Sequence, residues 1–371
     1  MNTTITPRSL LSNRTVGGSA SARATIDGRQ YINFFGSQYL ALTSEPEIRG
    51  AVIRALESGV PFAQQFPTAL GGVEPIFAAV EHAGSVACGT EASVYFASGY
   101  LIGAVGFWSL ASLFELIVLD EGAHLSLNDA AKLTGVPSFT FAHCDAESLG
   151  DALKTHAGSG KRPLVVTDGV FATTGSVPPL DDYAGLLAGY GGRLFVDESH
   201  AFGVVGVNGR GASEYCGVEH IATIGSTLSK AYCAQGALVG CSTDTAARLR
   251  MAPPIRGACA GSPLSAVAAT ASLNYVARHP HLRTEIRALA DYLRRRLRET
   301  GMEVIDSPAP IVSFKYGDRN DMQQLQRRAF DCGIFIYYST YLGAGPEGMI
   351  RCAVFRDHTR ADIDALIATL V

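Results

Sequence analysis

Between residues 93 and 241 the chain alternates short, nearly unbroken apolar runs with longer stretches whose apolar positions recur at helical spacing. The runs are Ser93–Ala97, Leu116–Leu119, Leu164–Thr167, Leu194–Val196, Ile221–Ile224 and Ala237–Cys241, mostly bounded by Gly, Asp or Ser. A strand that is apolar on both pleat faces is one buried on both faces, which predicts a mostly parallel sheet. Helical stretches such as Gly99–Leu113 and Asp181–Ala188 supply the crossovers such a sheet needs. The fold class is therefore α/β.

After about residue 255 the pattern changes. Ile286, Leu289, Ala290, Leu293 and Leu297 recur on one helical face with arginines opposite, and Thr284 is the expected cap. Strand-like runs follow at Ile311–Tyr316, Phe335–Ser339 and Ile350–Phe355, and a helix from Arg360 to Leu370 closes the chain. This divides the chain into an N-terminal segment (1–45), a large α/β domain (46–255) and a smaller C-terminal α+β domain (256–371).

Composition narrows the class of function. At 371 residues, with 47% hydrophobic and 17% charged, the chain is too apolar for disorder. Thirty basic against 34 acidic residues give a net charge of −4, and no basic block recommends a nucleic-acid partner. No run reaches the ~18 apolar residues of a membrane span, and no apolar signal core precedes Thr25. The eight cysteines include no CxxC pair and read as small core residues in a reducing compartment. A soluble cytoplasmic protein without a metal site is expected.

In parallel sheets, reactive groups collect at the carboxyl ends of strands. Four runs end in polar residues: Ser98-Gly99-Tyr100; Asp120-Glu-Gly-Ala-His124; Asp197-Glu-Ser199-His200; and Gly225-Ser-Thr227-Leu-Ser-Lys230. Only five of the 30 basic residues are lysines, and Lys230 alone follows a strand and a hydroxyl-rich turn. Alone it reads as a solvated loop lysine. With its neighbours it fits pyridoxal phosphate (PLP), which needs a Schiff-base lysine, a carboxylate on the pyridine nitrogen and phosphate donors at a helix start. Asp197 supplies the carboxylate; Ser98-Gly99-Tyr100 and Thr227 supply the donors. The glycines of Gly203–Gly211 follow GxxGxxG, a weak nucleotide signal, and read as a turn shaping one wall of the site.

The stretch from Phe195 through Asp197, His200 and Gly203 to Gly211, followed by Gly225–Lys230, resembles the α-oxoamine synthases, PLP-dependent acyltransferases of fold type I. The resemblance runs from about Ala24 to the C-terminus, where Arg351–Thr359 is similar to the family's closing stretch. It implies that Lys230 bonds the cofactor and moves the substrate Cα proton, and that Asp197 pairs with the pyridine nitrogen. It implies that His200 bonds the phenolic oxygen, while His124 and Ser199 flank the ring, Ser199 standing where the family usually has alanine. Phosphate contacts would come from Ser98, Gly99, Tyr100 and Thr227, with Ser262 a further one across a dimer interface. Arg351 would bind the amino-acid carboxylate, and Ser37 stands where the family's substrate-binding Asn is expected. Phe171–Gly175 also departs from the family pattern, and so does the segment 66–74, which the resemblance puts at the substrate entrance. The implied activity is condensation of an amino acid with an acyl thioester, acyl-CoA in the first place, with decarboxylation to an α-amino ketone, in a homodimer with shared active sites. The alternatives on the same fold are an aminotransferase, a decarboxylase or an inactive partner subunit.

Overall fold

A computed structural model describes residues 10–18, 21–66, 70, 74–158 and 160–370. Most of the segment 66–74 thus lies outside the described residues; Phe66 and Leu70 are exposed. Among the described residues fourteen strands appear in chain order: β1 (Val16–Gly17), β2 (Arg23–Ile26), β3 (Arg29–Asn33), β4 (Ala92–Phe96), β5 (Leu116–Asp120), β6 (Ser138–Phe141), β7 (Pro163–Asp168), β8 (Arg193–Asp197), β9 (Ala222–Thr227), β10 (Ala237–Cys241), β11 (Ile311–Phe314), β12 (Ile334–Phe335), β13 (Tyr337–Ser339) and β14 (Met349–Ala353). They form a seven-stranded sheet of order β4-β10-β9-β8-β7-β5-β6, an N-terminal sheet β1-β2-β3-β12 and a C-terminal sheet β11-β14-β13.

The central sheet is parallel except for β10, which runs against both neighbours. Its strands are apolar on both faces because each face meets a separate core. Leu116, Val118, Val165, Leu194 and Val196 pack into one. Ile117, Leu119, Leu164, Val166 and Phe195 pack into the other. This α/β architecture with a smaller C-terminal sheet is the expected fold class.

The helix predicted over Gly99–Leu113 is α-helical only over Ile102–Leu110, between 3-10 turns at Gly99–Leu101 and Ala111–Leu113. It lies close on the sheet because Gly106 lacks a side chain: a Cβ there would stand 2.3 Å from the Phe195 ring. Gly106→Ala should therefore destabilise the protein by about 1–3 kcal/mol through overpacking, read as a lower denaturant midpoint.

Other elements differ from expectation. Thr284 is not a cap: the helix runs His281–Glu299, and its polar first turn concealed a start immediately after Pro280. The expected strand Phe335–Ser339 is two strands in different sheets, β12 pairing in parallel with β3 and β13 antiparallel with β14. Buried Ile336 joins them. Of the cysteines, Cys88, Cys241 and Cys352 are buried, whereas Cys259 and Cys332 are exposed, so the core reading holds for only some of them. Among the described residues no disulfide forms, and no helix is long and apolar enough to cross a membrane.

Candidate active site

The carboxyl ends of β4, β5, β7, β8 and β9 surround a cavity of about 240 Å³. Nine sequence-predicted residues line it: Ser98, Gly99, Tyr100, His124, Asp197, Ser199, His200, Thr227 and Lys230. Arg351, Ser37 and Ser262 do not line it. The glycine turn Gly203–Gly211 does not form a wall either. Gly203 packs behind the site against Ala231 and Tyr232, and Gly211 against Glu198.

Lys230 follows β9, and its carbonyl accepts the Cys233 N–H at 3.0 Å, while its amine makes no hydrogen bond or ion pair among the described residues. Burial pushes its ammonium down to about 8, against the raising charges of Asp197 and Asp168. Asp197 ends β8 and accepts the Ser199 N–H through one oxygen at 3.0 Å. Its other oxygen has no donor among the described residues.

Asp168 was missed. It ends β7 in register with Asp197, lines the cavity and accepts the His124 N–H at 3.0 Å. Burial, reinforced by the Asp197 charge, holds its carboxyl well above the usual range. The signal was available: β5, β7 and β8, adjacent in the sheet, each end in aspartate.

Burial disfavours the charged form of both histidines. His124 caps the helix Leu125–Thr134, its Nδ1 accepting the Ser126 N–H at 3.3 Å and contacting Ser126 Oγ at 2.8 Å. Burial, with Lys230 nearby, lowers its pKa. His200 is lowered further, by burial and by the charges of Lys230 and Arg351. Its Nδ1 lies 2.6 Å from the hydroxyl of buried Tyr39, a partner the sequence reading did not single out. A phenol donating to Nδ1 leaves Nε2 carrying the proton.

The donors for a phosphate form a tighter cluster than expected. Ser98 Oγ accepts the Tyr100 N–H at 3.3 Å and sets the turn, and a Cβ on Gly99 would lie 2.7 Å from Thr227 Cβ. Thr227 Oγ1 bonds the Gly236 carbonyl at 3.1 Å and contacts Ser229 Oγ at 2.8 Å, so a hydroxyl pair sits where one was predicted. Ser199 Oγ accepts the Thr227 N–H at 3.1 Å, tying β8 to β9 in a way alanine could not. Ser262 precedes the helix Pro263–Arg278 without capping it, and its neighbour Gly261 rests against Ala97. Arg351, on β14, is buried; its Nε donates to Ala172 O at 2.6 Å and its terminal nitrogens to Gly36 O at 3.3 and 3.4 Å. Ser37 adjoins Gly36.

An amine of lowered pKa, a carboxylate with a free oxygen and a hydroxyl-lined turn fit PLP, which takes a Schiff-base lysine, a carboxylate on its pyridine nitrogen and phosphate donors at a helix start. Fold and site together define the aminotransferase class I and II family, whose family model matches residues 65–370. The 8-amino-7-oxononanoate synthase of Trichlorobacter lovleyi is 30% identical over 352 residues, covering 93% of this chain and 89% of that protein. A serine palmitoyltransferase from S. paucimobilis, solved with bound PLP–myriocin, superposes with a TM-score of 0.88 at 24% identity, covering 97% and 91% of the two chains. The Francisella tularensis 8-amino-7-oxononanoate synthase superposes at 0.76 with 23% identity, covering 92% and 96%. Within its class this chain belongs to the α-oxoamine synthases, PLP-dependent enzymes of the acyl-condensing kind.

Proposed function

We propose that the protein joins an amino acid to an acyl-CoA, with loss of CO2, to give an α-amino ketone, and that it works as a homodimer. The observation that carries this reading is the convergence of Lys230, Asp197, His124 and His200 on one cavity. When bound, PLP supplies a ring that withdraws electrons from the substrate Cα.

Each side chain has a distinct task. Lys230, unprotonated above about pH 8, is the nucleophilic amine that holds the cofactor and then the base that takes the Cα proton. Asp197 would keep a proton on the pyridine nitrogen through its free oxygen. His200, with Nδ1 against the Tyr39 hydroxyl, would donate Nε2–H to the phenolic oxygen. His124 and Ser199 would flank the ring. The Ser98–Tyr100 turn with Thr227 and Ser229 would hold the phosphate, with Ser262 contributing at the subunit interface. Arg351 takes the amino-acid carboxylate in exchange for its longer bonds to Gly36 O, beside Ser37.

The test is release of free CoA by the PLP-loaded protein with glycine, alanine or serine and acyl-CoAs of graded length. One amino acid should raise release at least about ten-fold over thioester alone, a margin of 1.4 kcal/mol in the barrier, with CO2 evolved in equal amount. Keto acid formed from the amino acid without CoA release would overturn acyl transfer in favour of transamination.

A further inference from the structure

Beside the cavity, and outside the machinery above, stands a second constellation. Asp120 at the end of β5 is fully buried, and its Oδ1 accepts from His143 Nδ1 at 2.9 Å. His143 Nε2 lies 3.7 Å from Cys144 Sγ. The carboxylate is fixed from two further sides, Oδ1 by the Gly122 N–H at 2.8 Å and Oδ2 by the Cys144 N–H at 3.0 Å. Cys144 itself has φ +56°, a conformation non-glycine residues rarely adopt. Nucleophile, imidazole and orienting carboxylate stand in the order that activates cysteine thiols.

A metal ion fits these residues less well. Both Asp120 oxygens are occupied by protein donors and His143 Nδ1 is bound to one of them. Nε2, Sγ and the remaining lone pair of Oδ2 are left, at most three ligands where a closed tetrahedral site takes four. The same bonds suit a proton shared between sulfur and nitrogen. Hydrogen bonding to Asp120 and Cys144 raises the His143 pKa to about 10, so the ring carries charge next to the thiol. The other ionisable groups facing the pair are Glu121, whose Oε1 accepts the His143 N–H at 3.3 Å, and, near Cys144, Asp145 and buried Tyr183.

The pair is one layer from the substrate. Gly122 and Phe171 line the cavity. A Cβ on Gly122 would lie 2.4 Å from His143 Nδ1, and the Phe171 ring meets His143 edge-on at 4.2 Å. Cys144 is only half-buried.

We propose that Cys144 is an acyl-accepting thiol, S-acylated by the thioester substrate with His143 and Asp120 as its activating pair; this rests on the acyl-thioester reading above. The sulfur attacks the thioester carbonyl, an S–acyl bond forms and the acyl bond to the carrier sulfur breaks. The proton shared by Cys144 and His143 passes to the departing thiolate. Nothing is oxidised or reduced.

Cys259 and Cys332, both exposed, are references within the same chain. Brief exposure of the PLP-loaded protein to acetyl-, octanoyl- and palmitoyl-CoA, followed by peptide mass mapping, should place hydroxylamine-sensitive acyl groups on Cys144 at least about ten-fold faster than on either reference. His143→Gln should bring Cys144 down to the reference rate, and Cys144→Ser should abolish the adduct while amino-acid-dependent CoA release persists. Iodoacetamide labelling at pH 6.5 tests the thiol without any thioester, and the same preference is expected. Equal alkylation of the three cysteines overturns the activated thiol. Preferential alkylation without acylation overturns the acyl step. Acylation of Cys144 in a protein that never releases CoA in response to an amino acid would refute the condensation reading and leave this one standing.

Discussion

Lys230→Met should abolish amino-acid-dependent CoA release and, at the same time, make the cofactor-free protein more stable. The loss of activity is expected to exceed about 10³-fold, because one side chain supplies both the nucleophile and the base, and general-base catalysis alone contributes about 10²–10⁴-fold. The gain in stability follows from burial. The ammonium is held down to about 8 in the folded protein, whereas an unfolded lysine titrates near 10.4. Below pH 8 both states bind the proton and the folded state bears the full penalty. Between pH 8 and about 10.4 the unfolded state binds more protons, so wild-type stability rises with pH. Methionine keeps the stem and removes the charge. Its advantage should be about 1–3 kcal/mol at pH 7, scaled from the size of the shift, and should vanish as pH rises through that window. Denaturation midpoints of both proteins from pH 7 to 10.5 measure it. A midpoint difference that does not change with pH would refute the buried-charge argument whatever the activity does.

Asp197→Asn should cost about 10²–10³-fold in turnover, the range for removing an electrostatic partner from a catalytic site, with little change in fold. The amide oxygen can still accept the Ser199 N–H, so the turn after β8 is retained. What is lost is the negative charge that would hold a proton on the ring nitrogen, and with it a charge that raises Lys230. The Lys230 amine should therefore deprotonate below about 8 in the variant. Amine-reactive labelling of the cofactor-free protein against pH gives that shift independently of turnover. An unmoved labelling profile would mean that Asp197 does not act on Lys230 as the geometry implies.

The central sheet was legible because its strands meet a core on each face, and continuous apolar runs have few other uses. Ser138–Phe141 escaped notice because an edge strand with one exposed face alternates Ser, Phe, Thr and Phe, and four such residues resemble a loop. The helices Pro46–Glu57 and Pro75–Cys88 each begin with proline, a start signal that is weak by itself. Within the site, residues announced by a strand-end cluster were found. Asp168 was passed over because a strand-terminal aspartate usually begins a turn. The contact of Tyr39 with His200 spans 161 positions, and no local pattern announces such a pair. Arg351 was placed by its motif, but its bonds to Gly36 and Ala172 depend on three distant segments meeting.

The split at Ile336 has a consequence for how this chain matures as it is made. Ile32 pairs with Ile334, and the first three strands are not completed as a sheet until the ribosome has passed residue 335. During most of synthesis β3 keeps an unpaired edge, the kind of surface that recruits other chains. Immediately after Ile336, β13 docks onto β14, which carries Arg351. The beginning of the protein and the strand bearing its proposed carboxylate-binding arginine are therefore secured in the same late step. A nascent chain stopped before residue 334 would hold the seven strands of the central sheet, but neither a closed N-terminal sheet, nor Arg351, nor the part of the cavity wall that Tyr341 and Leu342 form.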